Sequence, residues 1–242
     1  VNRLSIGAQS FDDQVLKKLG RIHTASDITH TIKAARKSGF ENINLDLMFA
    51  VPGLDGRKWR STIRKALNAQ PEHISFYSLE IAPGTPFYNM VKDGIMAETS
   101  PAADRRMYSV ALDELEKAGY IHYEISNSAL PHKECRHNLK YWRFSDYLGF
   151  GASAHSFMGG VRFSNIADIK KYIRVMENQD LARNCRLGGS EVIGADCVDW
   201  FHVNTVRDSA GEYTFTALRT RRGVILPEFA KKFKCEFWEM FL

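Results

Sequence analysis

The sequence predicts an α/β fold built on a parallel sheet, and three observations carry that prediction. Short apolar segments ending in turn residues alternate with segments of helical periodicity, at roughly 30 residues per unit, the pattern of β-strands joined by crossover helices. The strand segments read as apolar on both faces, as strands covered by helices do. Polar residues gather toward the carboxyl ends of successive strands: Gln9 after the first, Asp46 in the second, Glu80 after the third. Both an open doubly wound sheet and a β/α barrel fit the alternation. The polar rim favours the barrel, because barrels build their sites there.

Val1–Ser10 contains the first strand, with Leu4 and Ile6 apolar and Gly7 ending the run. Thr24 to Gly39 is helical: Ile28, Ile32 and Ala35 share one face, and Gly39 stands where a helix is capped. Asn42–Phe49 is the second strand, and Pro52-Gly53 turns the chain. Arg57–Ala69 is a helix with Trp59, Ile63, Ala66 and Leu67 on one side. His73–Leu79 is the third strand, Pro83 to Pro86 a rigid turn, and Pro101–Ala118 a helix burying Met107, Ala111 and Leu115. Tyr120–Ile125 is extended and is expected to continue the parallel sheet.

Beyond Ile125 the texture changes. Ser126–Gly160 is loop-rich in His, Asn, Trp, Tyr and Gly. Asn165 is expected to N-cap a helix reaching Glu177, with Ile169, Ile173 and Met176 facing inward. Residues 180–223 carry no clear pattern. From Phe229 onward Phe233, Phe237 and Met240 follow helical spacing. The chain opens within one step of a strand and closes inside this apolar pattern, so it reads as part of a longer protein.

Of the 242 residues 44% are hydrophobic and 25% charged, which excludes disordered, collagen-like and disulfide-scaffold classes. No apolar run reaches the roughly 20 residues of a membrane span, and no targeting segment is visible. Lys and Arg number 33 against 28 Asp and Glu, a formal charge of +5. That excess is spread out, not gathered into a basic stripe, so nucleic acid is not an expected partner. Cysteines at 135, 185, 197 and 235 form no close pair. They read as reduced thiols of a cytoplasmic protein and not as a metal clip.

Asp46 is a carboxylate inside an apolar strand, and burial obliges it to find a partner. A ribose diol or a barrel Lys or Arg would serve. Gln9 either caps the next helix or donates to a ligand on the rim. Arg21 suits a bidentate carboxylate clamp, or else is solvated. Cys135–Trp142, reading CRHNLKYW, is the densest cluster of reactive and aromatic residues. His137 there is a candidate axial haem ligand, with Tyr141 and Trp142 as flat walls; the alternative is a loop whose aromatics plug the barrel mouth. Tyr147–Gly160 is a small-residue loop that permits close backbone approach and matches neither a Walker A nor a dinucleotide fingerprint. Its His155 suits ligand contact or a structural hydrogen bond.

The segments NRLSIGAQSFDDQVLKKLGRIH, GFENINLDLMFAVPG, PEHISFYSLEIAPGTPF, GYIHYEISNSA and CRHNLKYW with DYLGFGASAHSF jointly resemble the oxygen-independent coproporphyrinogen III oxidase family of radical SAM proteins, from residue 2 to about 178. Within it, the H-N-x-x-Y-W element at His137–Trp142 resembles the haem-chaperone (HemW) branch. The resemblance implies the C-terminal half of a partial (β/α)6 TIM-like radical SAM barrel, followed by a small, mainly helical C-terminal domain. It divides the chain into the last three βα units at 1–125, a loop-rich HemW-like extension with a helix at 126–178, and a partial C-terminal domain at 179–242. It implies S-adenosylmethionine contacts at Gln9, Arg21, Asp46 and Glu80 and around Ala154 and His155. It places haem at His137, Asn138, Tyr141 and Trp142, with His137 on the iron. A [4Fe–4S] cluster is implied too, on a three-cysteine loop expected upstream of Val1, so no residue here is expected to be catalytic. The implied function is haem binding and transfer to acceptor proteins, with at most peripheral membrane contact. The competing readings are coproporphyrinogen III decarboxylation and an inert structural fragment.

Overall fold

The structure, a computed structural model, describes residues 1–178 and 196–242, and it divides into two compact units, Val1–Glu134 and Cys135–Leu242. In the first unit, strands β1 (Leu4–Gln9), β2 (Ile43–Phe49) and β3 (His73–Ser78) lie side by side and parallel. β4 (Ile121–Glu124) and β5 (Asn127–Ala129) complete an open sheet in the order β1-β2-β3-β5-β4. The expectation that the fourth strand continues the parallel sheet is therefore corrected. β5 is antiparallel to both neighbours and stands between β3 and β4. Only Ile125 and Ser126 separate β4 from β5, which suffices for a hairpin and is far too short for a crossover. Because β5 joins this sheet, the first unit runs on to Glu134 and does not stop at residue 125.

Three long helices cover one face: α2 (Ala25–Lys37), α3 (Gly56–Asn68) and α5 (Pro101–Lys117). Each lies within two residues of its expected bounds, because each starts at a side-chain cap, Thr24, Asp55 and Ser100 respectively. The short helices α1 (Asp13–Lys18) and α4 (Pro86–Lys92) were not anticipated; six or seven residues show too little periodicity, although Asp12 and Thr85 cap them in the usual way. Ile43, Leu45, Leu47 and Phe49 of β2 and Ile74 and Phe76 of β3 form the core with Ile32, Trp59, Ile63, Met107 and Leu115. Trp59 is fully buried and its indole N–H donates to the Met107 carbonyl at 2.8 Å. The opposite face is not apolar, contrary to the expectation of two-sided strands. It carries Ser5, Asn44, Asp46, His73, Ser75 and Tyr77.

The second unit holds an antiparallel meander, β6 (His155–Met158), β7 (Val161–Asn165) and β8 (Val198–Val203). Among the described residues five helices accompany it: α6 (Arg136–Trp142), α7 (Ile169–Glu177), α8 (Val206–Ala217), α9 (Leu226–Phe233) and α10 (Phe237–Phe241). Their core is aromatic, with Phe229 fully buried and its ring centroid 4.7 Å from that of Phe233 and 5.0 Å from that of Phe237. The meander replaces part of the expected loop and part of the unpatterned stretch; residues 179–195, which include the start of that stretch and Cys185, lie outside the described residues.

Asn165 does not cap α7. It ends β7 and donates from Nδ2 to the Gly151 carbonyl at 2.9 Å, while Asp168 caps the helix. Ile169, Ile173 and Met176 are exposed, and Tyr172 and Val175 pack instead. Two apolar stripes overlap in this helix, and the structure buries the one that periodicity alone did not select. Cys135 and Cys235 form no disulfide, as expected, whereas Cys197 is disulfide-bonded. Cysteine spacing excludes a metal clip, but pairing of distant thiols depends on their separation in space. No helix among the described residues is long and apolar enough to cross a membrane.

Candidate functional site

Period-two alternation along β2 and β3 sets the site. Asn44 and Asp46 point away from the helices, and their register partners His73 and Ser75 do the same. Asp46 is half-buried. Its Oδ1 accepts from Asn44 Nδ2 at 2.8 Å and its Oδ2 from the Ser5 hydroxyl at 3.2 Å. Among the described residues no Lys or Arg pairs with it, so the ion-pair alternative for Asp46 does not describe this site.

Behind Asp46 the polar groups continue. Asn44 Nδ2 also reaches Ser5 Oγ at 2.6 Å, and Asn44 Oδ1 lies 2.6 Å from His73 Nδ1 and accepts from Ser75 Oγ at 3.2 Å. His73 Nε2 is 2.7 Å from the Tyr123 hydroxyl. Burial, reinforced by the positive charge of Arg3, pushes the His73 pKa down to about 3, so this imidazole is neutral at ordinary pH.

Gln9 reaches the same face: its Oε1 accepts from the Tyr77 hydroxyl at 3.2 Å. It does not cap α1, whose cap is Asp12. Gln9 is buried and holds φ at +57°, and Ala50, just past the end of β2, is buried at +56°. Two buried non-glycine residues in the left-handed region at adjacent strand ends mark a rim whose backbone is held at some cost. Such strain concentrates where ligands are clamped. Arg21 is exposed, and its loop is tied to the first unit by Arg21 N–H to the Leu16 carbonyl at 2.9 Å and by a His23–Ala8 contact at 3.2 Å. The structure joins Gln9 and Asp46 on one face. It gives Arg21 no described side-chain contact with either, and leaves Glu80 exposed two residues past β3.

In the second unit RHNLKYW is a helix, α6, entered from Cys135, and not a plugging loop. His137 is exposed and sits one turn from Tyr141, its Nε2 3.1 Å from the Tyr141 hydroxyl and the two rings edge to face at 5.0 Å. Tyr141 in turn meets Tyr147, with centroids 4.5 Å apart. Trp142 does not share that wall. Five residues along a helix carry it about 140° round, and Arg219 lies 4.5 Å above its ring. Asn138 is half-buried. His155 opens β6, with Ala154 immediately before it; His155 is exposed, and its carbonyl would stand very close to a Cβ at Gly149. That close backbone approach explains one glycine of the small-residue loop.

Asn44, His73, Ser75, Tyr77 and Tyr123 were not singled out from the sequence. The signal was present as polar residues at every second position, Asn44-x-Asp46 and His73-x-Ser75-x-Tyr77. Reading these strands as apolar on both faces obscured it.

A model of the radical SAM superfamily matches residues 1–66. The heme chaperone HemW of Bacillus subtilis (strain 168) is 36% identical over 233 residues, covering 96% of this chain and 58% of that protein. The heme chaperone HemW of Lactococcus lactis subsp. lactis (strain IL1403) is 32% identical over 241 residues, covering 100% of this chain and 59% of that protein. Among solved structures, the coproporphyrinogen III oxidase HemN from Escherichia coli, described as a radical SAM enzyme, matches with a TM-score of 0.75 over 99% of this chain and 54% of its own. At 20% identity that likeness is one of fold. It assigns the open sheet to a partial TIM-like architecture with a helical C-terminal part. These matches support a HemN-like radical SAM sequence similar to the HemW branch, and the chain spans somewhat under three-fifths of the length of these curated relatives.

Proposed function

We propose that this protein is a radical SAM haem chaperone: it binds haem and passes it to acceptor proteins. The observation that carries the proposal is His137, an exposed imidazole on α6 within the HNLKYW run, whose Nε2 is engaged, among the described residues, by a neighbouring hydroxyl alone. A phenol is a weak, exchangeable partner, and Tyr141 can turn away to leave that nitrogen to haem iron. Tyr141 would then remain as an aromatic edge beside the macrocycle, with Asn138 one residue along the helix. Acceptor proteins in the cytoplasm, or met at a membrane surface, would take the haem onward. Coproporphyrinogen oxidation has only likeness of fold behind it.

S-adenosylmethionine fits the open polar face of the first unit. Asp46 accepts two hydrogen bonds from neutral donors and keeps acceptor capacity for ribose hydroxyls, while Gln9 has its amide nitrogen available on the same face. Arg21 and Glu80 are assigned to further contacts with this cofactor on the family resemblance. When bound beside a reduced iron–sulfur cluster, the cofactor supplies radical chemistry. The cysteines of this chain, at 135, 185, 197 and 235, do not form the closely spaced set such a cluster takes, so these residues supply binding and orientation only.

Haem titration of the full-length protein, followed by the Soret difference spectrum, tests the chaperone reading. His137→Ala is expected to weaken binding and remove the spectrum of a histidine-ligated haem. Unchanged binding and spectrum would overturn the assignment.

A further inference from the structure

We propose that Asn44, His73 and Tyr123 are positioning residues: together they form a one-way hydrogen-bond relay that fixes the rotamer and acceptor direction of the Asp46 carboxylate for a ribose diol. The inference rests on the reading of Asp46 as a nucleoside contact and adds the residues that make that contact work.

The direction of the relay follows from chemistry at its end. An ionised carboxylate only accepts, so the Asn44 atom 2.8 Å from Asp46 Oδ1 is the amide nitrogen, which also reaches Ser5 Oγ at 2.6 Å. The Asn44 carbonyl oxygen must then face His73 Nδ1, 2.6 Å away, and that nitrogen must carry the proton. A neutral imidazole has one proton, so Nε2 is the acceptor and the Tyr123 hydroxyl, at 2.7 Å, donates. Ser75 Oγ supplies the second donor to Asn44 Oδ1 at 3.2 Å. Every polar atom of the Asn44 side chain is engaged, and no link can be reversed without placing two acceptors face to face. Chains of this kind polarise along their length, so the outermost donor strengthens the hold on the innermost carboxylate. None of the three residues needs to touch the ligand. Asn44 and His73 are buried, and Tyr123 contacts the far edge of the imidazole.

Two measurements test the relay. In this chain labelled with ¹⁵N-histidine, long-range ¹H–¹⁵N spectra are expected to show His73 as the Nδ1–H tautomer, with Nε2 moving toward the shift of a bare acceptor nitrogen in Tyr123→Phe. In the holo full-length protein, S-adenosylmethionine affinity by equilibrium dialysis is expected to fall roughly three- to tenfold in Tyr123→Phe. It should fall at least as far in His73→Leu and recover in His73→Gln, whose amide again offers one donor and one acceptor. Thermal unfolding identifies any variant that fails to fold, and if His73→Leu does, the tautomer and Tyr123→Phe decide. An Nε2–H tautomer overturns the relay, as does wild-type affinity in Tyr123→Phe and His73→Leu while Asp46→Asn binds weakly; the nucleoside site itself then stands. Wild-type affinity in Asp46→Asn removes that site, and the relay's role falls with it.

Discussion

His73 makes acid stability a measurement of the buried polar layer. It is 2% exposed and its pKa drops from 6.5 to about 3 on folding. Below pH 6.5 the unfolded chain binds a proton here that the native chain refuses, so stability is lost as pH falls from 6.5 toward 3. At pH 5 the gap is 1.5 pH units, and at about 1.4 kcal/mol per unit the site costs about 2 kcal/mol relative to pH 7. The loss would reach about 4 kcal/mol at pH 3 and level off near about 5 kcal/mol below it. His73→Gln keeps a donor and an acceptor and does not titrate. Urea unfolding at pH 7 and pH 5, with the first unit followed through Trp59, its only tryptophan, measures both proteins. Carboxylates whose pKa values folding lowers, such as Asp12 and Glu114, contribute equally to each and cancel in the difference. Wild type is expected to lose about 2 kcal/mol more than the variant between these pH values. Equal losses would show that the imidazole is protonated or solvated in the native state, and the argument for a neutral acceptor would fail.

Other perturbations separate structure from function. Asp46→Asn is expected to lower S-adenosylmethionine affinity by about 1.5–3 kcal/mol, read by equilibrium dialysis, as loss of a charged acceptor does. Gln9→Gly relieves the left-handed backbone at φ +57°, so thermal stability should hold within about 1 kcal/mol while cofactor affinity falls. Trp59→Ala empties a fully buried site and strands the Met107 carbonyl; urea unfolding should register a loss of about 3–5 kcal/mol. Gly149→Ala would set a Cβ very close to the His155 carbonyl oxygen, and the second unit should lose about 1–3 kcal/mol in thermal unfolding.

What the sequence made legible follows from where its signals are local. The three long helices were readable because a cap and a repeated apolar face fix each of them, as Thr24 with Ile28, Ile32 and Ala35 does for α2. Strands β1 to β3 were readable as apolar runs between turns. The position of β5 was not, because Asn127–Ala129 is only three residues long and its place depends on pairing with β3, more than fifty residues earlier. The meander of the second unit failed for the same reason: β7 finds β8 across more than thirty residues. At the site, Asp46 was found as an anomaly, a charge in an apolar run. Asn44 and His73 are not anomalies one at a time. Only register, Asn44 beside His73 and Asp46 beside Ser75, turns them into a network.

That network also argues for what Asp46 does. A carboxylate held by Lys or Arg is neutralised, and a bidentate fork fills both its oxygens. Asp46 is held by an amide and a hydroxyl instead, each taking one of its roughly four acceptor positions. Its charge and about half its acceptor capacity remain on a half-buried, partly open face. A purely structural aspartate would gain from a cation at that place, and the sequence has 33 Lys and Arg from which to supply one. Neutral donors that orient the group without quenching it are the arrangement that suits a ligand bringing its own hydroxyls. The left-handed backbone at Gln9, on the same face through Tyr77, is a second local cost with the same explanation.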